Sequence, residues 1–136
     1  MAFIHGKDTN VSVDSNDLSA YTNSSDYNPT TDSHDVTAYG ASGHAYQGGL
    51  TAGTFTMSGF YDDTASTGPR AVLQDIQQAG AAVTVVRQPE GTGSGLPQDS
   101  FSALCTSYRE SNPVADMISW TADFQISGAV TDTAQA

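Results

Sequence analysis

Apolar and polar residues alternate through residues 117–128: Ile118, Trp120, Ala122, Phe124 and Ile126 fall on one face, and Ser119, Thr121, Asp123, Gln125 and Ser127 on the other. A period of two is that of a β-strand with one face buried. The same pattern recurs in shorter stretches. Val11 and Val13 alternate with Ser12 and Asp14 ahead of the turn-forming run Asp14-Ser15-Asn16-Asp17. Residues 53–62 form a longer strand with Phe55, Met57 and Tyr61 on one face, and Gly59 within it predicts a bulge or a close backbone contact. Short strands are expected at residues 36–39 and 44–47 around Gly40 and Gly43, and another at 82–87. Residues 100–110 and 116–129 close a hairpin around Ser111-Asn112-Pro113.

One segment has the helical period. Thr67 and Gly68 precede Pro69, which suits a first helical position, and Val72, Leu73, Ile76 and Ala79 form one apolar stripe before Gly80 stops the helix. The two apolar faces cover one another, so Val72, Leu73 and Ile76 are expected in one core with Ile118, Trp120, Phe124 and Ile126. The order is β-rich, one helix, then β again. It predicts a mainly β domain over residues 1–130, with residues 131–136 as a frayed end. Residues 89–99 read as a flexible loop. The polar, proline-interrupted stretch 19–34 is either a strand followed by a long loop or one arm of an extended hairpin. Its composition cannot bury enough apolar area to fold alone, so it is expected to be disordered or mobile in the isolated chain.

Composition adds bounds. At 136 residues and 38% hydrophobic content the chain suffices for a single core. A lone Cys105 excludes an internal disulfide, and no run approaches the roughly 18 apolar residues of a membrane span. The start MAFIHGKD is too short and polar for a secretion signal, which predicts synthesis in a reducing cytoplasm. The net charge of −11 arises because Lys7, Arg70, Arg87 and Arg109 stand against 15 acids. Such a surface repels phosphate backbones and argues against nucleic-acid binding, though not against passage of DNA past it.

No candidate chemistry has the spacing it needs. His5, His34 and His44 lack a second ligand at zinc-site spacing, and Asp26, Asn28, Asp32 and Asp35 lack the glycine and closing glutamate of an EF-hand loop. Asp62 and Asp63 are adjacent rather than facing. The GxGxG run at 91–95 opens no helix, and Ser94 lacks the GxSxG frame. Cys105 lies within a strand, where a buried thiol is inert. The sequons at Asn10 and Asn23 mean nothing without secretion. Neither an enzymatic site nor a metal or other cofactor is expected.

The opening MAFIHGKDTNVSVDSNDLSAY, the strand GLTAGTFTMSGFYDD, the helix after GPRAVL and the closing ISWTADFQISGAV together resemble the tail tube proteins of long-tailed bacteriophages and related gene-transfer particles. The resemblance covers nearly the whole chain and rests on the order of elements. It implies a β-sandwich or barrel-like fold with one flanking helix. It also implies rings of six that stack into a hollow tube, with strands of adjacent subunits joined into an inner barrel and a loop or hairpin reaching the next ring. The implied partners are further copies of the chain and other tail proteins at the tube ends, with DNA passing through unbound and no membrane. The implied location is the virion tail, after synthesis in the bacterial host cytoplasm. The stretch 19–34 is the candidate for the reach, with Tyr21, Tyr27, Asn28 and Pro29 as interface candidates and the two tyrosines as anchors. Two other readings share the composition: a capsid decoration protein, and a carbohydrate-binding or adhesion module stacking sugars on Trp120 with Tyr21, Tyr27, Tyr39 and Tyr46.

Overall fold

The computed structural model describes residues 6–62 and 68–135. These form strands β1 (Asn10–Val13), β2 (Asn16–Asp17), β3 (Thr22–Asp35) and β4 (Tyr46–Phe60), helix α1 (Pro69–Ala79), and strands β5 (Val83–Gln88), β6 (Pro97–Ser111) and β7 (Ser119–Ala134). All seven strands belong to one sheet in the order β2-β1-β5-β6-β7-β4-β3, and every neighbouring pair is antiparallel.

The alternating residues set which face is buried. Phe55 and Met57 of β4, Phe101, Ala103 and Cys105 of β6, and Trp120, Ala122, Phe124 and Ile126 of β7 point to one side, where they join Val11, Val13 and Val85 in the core. Helix α1 lays Val72, Leu73 and Ile76 on this side, as its stripe predicts, and Gly80 caps it in the left-handed region at φ 68°. Arg70 fixes the helix start to β6 through a forked pair of bonds to Glu110 (2.8 and 3.1 Å), and Glu110 also accepts from the Tyr108 hydroxyl at 3.0 Å. Burial, followed by the bond to Glu110, pushes the Tyr108 phenol well above its ordinary value.

The sheet curls on itself. Tyr27 lies on β3, at the far end of the strand order from β5, yet its ring stacks on Phe101 of β6 at 5.7 Å. The Arg87 guanidinium of β5 sits 4.9 Å from its centroid. Arg87 is held in turn by Asp99 at 2.7 Å. A strongly twisted sheet of this size curls in this way, giving a barrel-like roll around one core.

Several expectations change. Residues 22–35 form the arm of an extended hairpin, paired to β4 within the same chain rather than awaiting a neighbour. Residues 36–39 are the hairpin's connection and not a strand. Ile118 lies outside the core at 36% exposure, because β7 begins one residue later and residues 112–118 form the β6–β7 loop. Ala79 is exposed at the helix end, and Tyr61 follows the end of β4. The chain end is paired as far as Ala134, opposite Pro97. Beyond it Gln135 is clamped by the 91–97 turn: its side chain accepts from the Gly93 N–H at 3.0 Å and donates to the Gly91 carbonyl at 2.8 Å. Thr67, Asp63 and His5 lie outside the described residues.

Gly59 is where the hairpin meets the rest of the sheet. A Cβ there would run into the Tyr21 carbonyl, beside the register shift between Thr22 and Ser24. Gly59→Ala is therefore expected to destabilise by about 1–3 kcal/mol in urea denaturation. A loss under about 0.5 kcal/mol would show that this backbone approach is relaxed in solution.

Candidate assembly surfaces

Strands β6, β7, β4 and β3 form a four-stranded unit whose two flanks are open. On one flank no strand among the described residues pairs with the outer side of β3. On the other, β5 covers only Asp99–Ala103 of β6, so residues 104–111 have no second strand partner among the described residues. Open backbone edges of this length are sites where another strand adds.

The outer edge of β3 can be read residue by residue. The Gln125 side-chain amide donates to the Gly53 carbonyl at 2.8 Å, so the backbone groups of Gly53 point toward β7. Its partner Pro29 then directs its own nitrogen away from β4, to the free edge, where a proline lacking an N–H is tolerated. Ser25 and Tyr27 share this phase, so their N–H and C=O groups also face outward.

The β3–β4 hairpin outruns the sheet. Pairing of β4 with β7 covers Thr54–Phe60 only, which leaves residues 46–53 and their β3 partners projecting by roughly 25 Å at 3.3 Å per residue. Its tip is closed by side chains. Asp35 accepts from the Thr37 N–H (2.9 Å) and hydroxyl and lies 3.3 Å from His44, and the Thr37 hydroxyl accepts from the Ala45 N–H at 2.9 Å. The bonds from Thr37 hold the Asp35 carboxyl below its ordinary value.

Exposed large apolar side chains fall into two groups. Val36, Tyr39, Tyr46 and Leu50 stand on the projecting hairpin, while Phe60, Val114, Met117 and Ile118 surround the far end of β4 and the β6–β7 loop. The two groups are separated by the length of β4, roughly 45 Å.

Of the four interface candidates, Asn28 and Pro29 are exposed on the free strand, whereas Tyr21 and Tyr27 are half-buried against their own core. Burial raises the Tyr27 phenol above its ordinary value. The sequence reading placed its interface candidates on or beside this strand, and two of them, Tyr21 and Tyr27, are rings already engaged within the subunit. Leu50, Met117 and Phe60 were missed. An apolar residue at a hairpin tip or strand end carries no periodic signal that separates it from core.

His34 and His44 sit on the exposed hairpin, and no group of three His, Cys, Asp or Glu side chains suited to a metal ion occurs among the described residues. Cys105 is 3% exposed, and burial pushes its thiol up, away from the reactive thiolate. Trp120 is 1% exposed, out of reach of a sugar, while Tyr39 and Tyr46 project into solvent. Among the described residues no helix is long and apolar enough to cross a membrane.

No protein-family model matches the sequence, and no curated protein does. Solved structures match the fold. A chain from the virion of a native gene transfer agent particle superposes with a TM-score of 0.81, covering 97% of this chain and 100% of that one at 16% identity. A chain from the sheath–tube complex of an extracellular contractile injection system gives 0.73 at 15% identity, covering 98% and 93%. The tail tube of SPP1 gives 0.69 at 13% identity, covering 98% and 80%. At such identities the likeness is one of fold, and the fold is the expected one: mainly β, barrel-like, with one flanking helix.

Proposed function

We propose that this chain is the repeating subunit of a tail-type tube, a structural protein of the virion tail with no catalytic, metal or cofactor site. The observation that carries this reading is the pair of open edges on one four-stranded unit. β3 on one flank and residues 104–111 of β6 on the other allow each copy to extend the next copy's sheet, and repetition around an axis closes a barrel. Six copies contribute 24 strands, and at 4.8 Å between strands tilted as in other barrels the bore is roughly 40 to 50 Å between backbones. The gene transfer agent tail that also shares the fold was determined with C6 symmetry.

The projecting hairpin supplies the second direction of growth. Its apolar tip and the apolar group around Phe60 lie at opposite ends of β4, so a copy in one ring reaches a copy in the next along the axis. Both groups are repeated in every subunit of a ring, and weak single contacts add up through multivalency. Other tail proteins meet the tube at its ends, where edges and tips are left without a copy to engage. DNA passes through without a binding site, consistent with four basic residues against 15 acids.

The test is assembly. Concentrated purified protein is expected to show rings or tubes by negative-stain microscopy. Ser25→Pro removes an outward N–H from the β3 edge without touching the β4 ladder, and it is expected to leave a folded monomer that forms neither. Wild-type protein that stays monomeric at high concentration, or Ser25→Pro tubes indistinguishable from wild type, would overturn the edge-joined ring.

A further inference from the structure

The open face of the four-stranded unit is polar and carries few charges. Across β3, β4, β7 and β6 it presents Ser, Thr, Asn and Gln side chains, including Asn28, Thr56, Thr121 and Gln125, with Leu104 in its middle and Phe60 at its end as its large apolar members. Its charged groups are Asp26, Asp123 and Arg109. Arg109 lies 3.5 Å from Asp123, which also accepts from the Thr56 hydroxyl at 3.3 Å. Two carboxylates against one guanidinium leave this face a formal −1, while the chain carries −11. The acids are concentrated elsewhere: Asp14 and Asp17 near β2, Asp32 and Asp35 on the hairpin, Asp62 and Asp116 at the far end, Asp75 on the helix.

Building on the tube reading, we infer that this hydroxyl- and amide-covered face lines the bore, and that the wall met by a passing polyanion is nearly neutral rather than acidic. Ring closure decides the orientation. The other face of the unit carries the core, α1, β1 and β5, and that bulk fits only at the larger radius when units are joined edge to edge. The thin, open face is left toward the axis. Chemically it suits passage: outside Leu104 and Phe60 its hydroxyls and amides hold a water layer, and it carries no unpaired cation for a phosphate to exchange counterions with. The Arg109–Asp123 pair keeps the one guanidinium of the face from acting as such a site.

Cysteine accessibility in assembled tubes tests the placement. Thr121→Cys on the open face and Gln77→Cys on the exposed side of the helix are labelled in tubes with a small maleimide and with a polymer-linked one too bulky to enter, Cys105 being buried. The small reagent is expected to reach both, and the bulky reagent only Gln77→Cys. Bulky labelling of Thr121→Cys with protection of Gln77→Cys would overturn the orientation. Preparations without tubes by microscopy would overturn the assembly reading itself, before labelling is scored. The charge claim is read from retention of a short DNA duplex by tubes at low salt. Asp26→Asn, which brings the face to a formal zero and leaves Arg109 paired with Asp123, is expected to retain no more than wild type, and Thr56→Lys with Thr121→Lys to retain duplex in a salt-dependent way. A strong gain in retention on removing Asp26 alone would show that repulsion by the wall, not its neutrality, keeps DNA free.

Discussion

Excision of residues 31–51, with Thr30 joined to Ala52 through Asn-Gly, is expected to give a stable subunit that makes rings but no tubes. The cut lies where the hairpin has already left the sheet, since β4 has no partner on its β7 side before Thr54. Thr30 and Ala52 face each other with their backbone groups turned inward, the pair that a two-residue type I′ turn closes. Everything removed is exposed, so the folded state loses little burial and stability should stay within about 0.5 kcal/mol of wild type. The β3 edge from Thr22 to Thr30 and the β6 edge from 104 to 111 remain, so side-to-side joining is unaffected. What goes is the apolar tip, Val36, Tyr39, Tyr46 and Leu50, and with it the reach to the next ring. Negative-stain images should change from long tubes to single annuli, while urea denaturation of the monomer is nearly unchanged. Tubes of normal length from the excised chain would mean that rings stack through their end surfaces and that the hairpin has another role.

The half of the sheet that encloses the core was legible because one face is dry and the other wet, which imposes the period of two on β4, β7 and the central part of β6. The helix was legible for the same reason at its own period, together with Pro69 and Gly80 at its ends. The hairpin was legible only as one of two readings of residues 19–34, because both faces of residues 28–35 and 46–52 are exposed and a strand wet on both sides has no alternation to read. Exposed Val36 and Tyr39 imitated a strand where the chain turns. At the chain end, residues 128–134 are almost wholly exposed, so the continuation of β7 past Gly128 has no buried face to impose an alternation. The candidate site was the least legible part, since an open edge is defined by which strands do not pair. Nothing local in residues 104–111 reports that β5 stops short of them. Tyr27 shows the same limit: only the curl of the whole sheet brings it onto Phe101 and under Arg87.

Trp120→Ala is expected to cost about 3–5 kcal/mol, the range for removing a buried aromatic side chain. Trp120 heads the buried side chains in size at 1% exposure, on the strand shared by both halves of the four-stranded unit. Its indole N–H donates to the Phe60 carbonyl at 3.0 Å, so the ring pins the last residue of β4 where the chain leaves the sheet toward the helix. Two effects are therefore separable. Trp120→Phe keeps most of the apolar volume but removes the donor, and a lost hydrogen bond of this kind costs about 1 kcal/mol. The larger loss in the alanine variant then measures the cavity left in the core. Guanidinium denaturation of the monomer checks both, and the ordering alanine, then phenylalanine, then wild type is the result expected. An alanine variant within about 1 kcal/mol of wild type would mean that this ring is not packed in the core, and the register of β7 against β4 and β6, on which both open edges depend, would have to be redrawn.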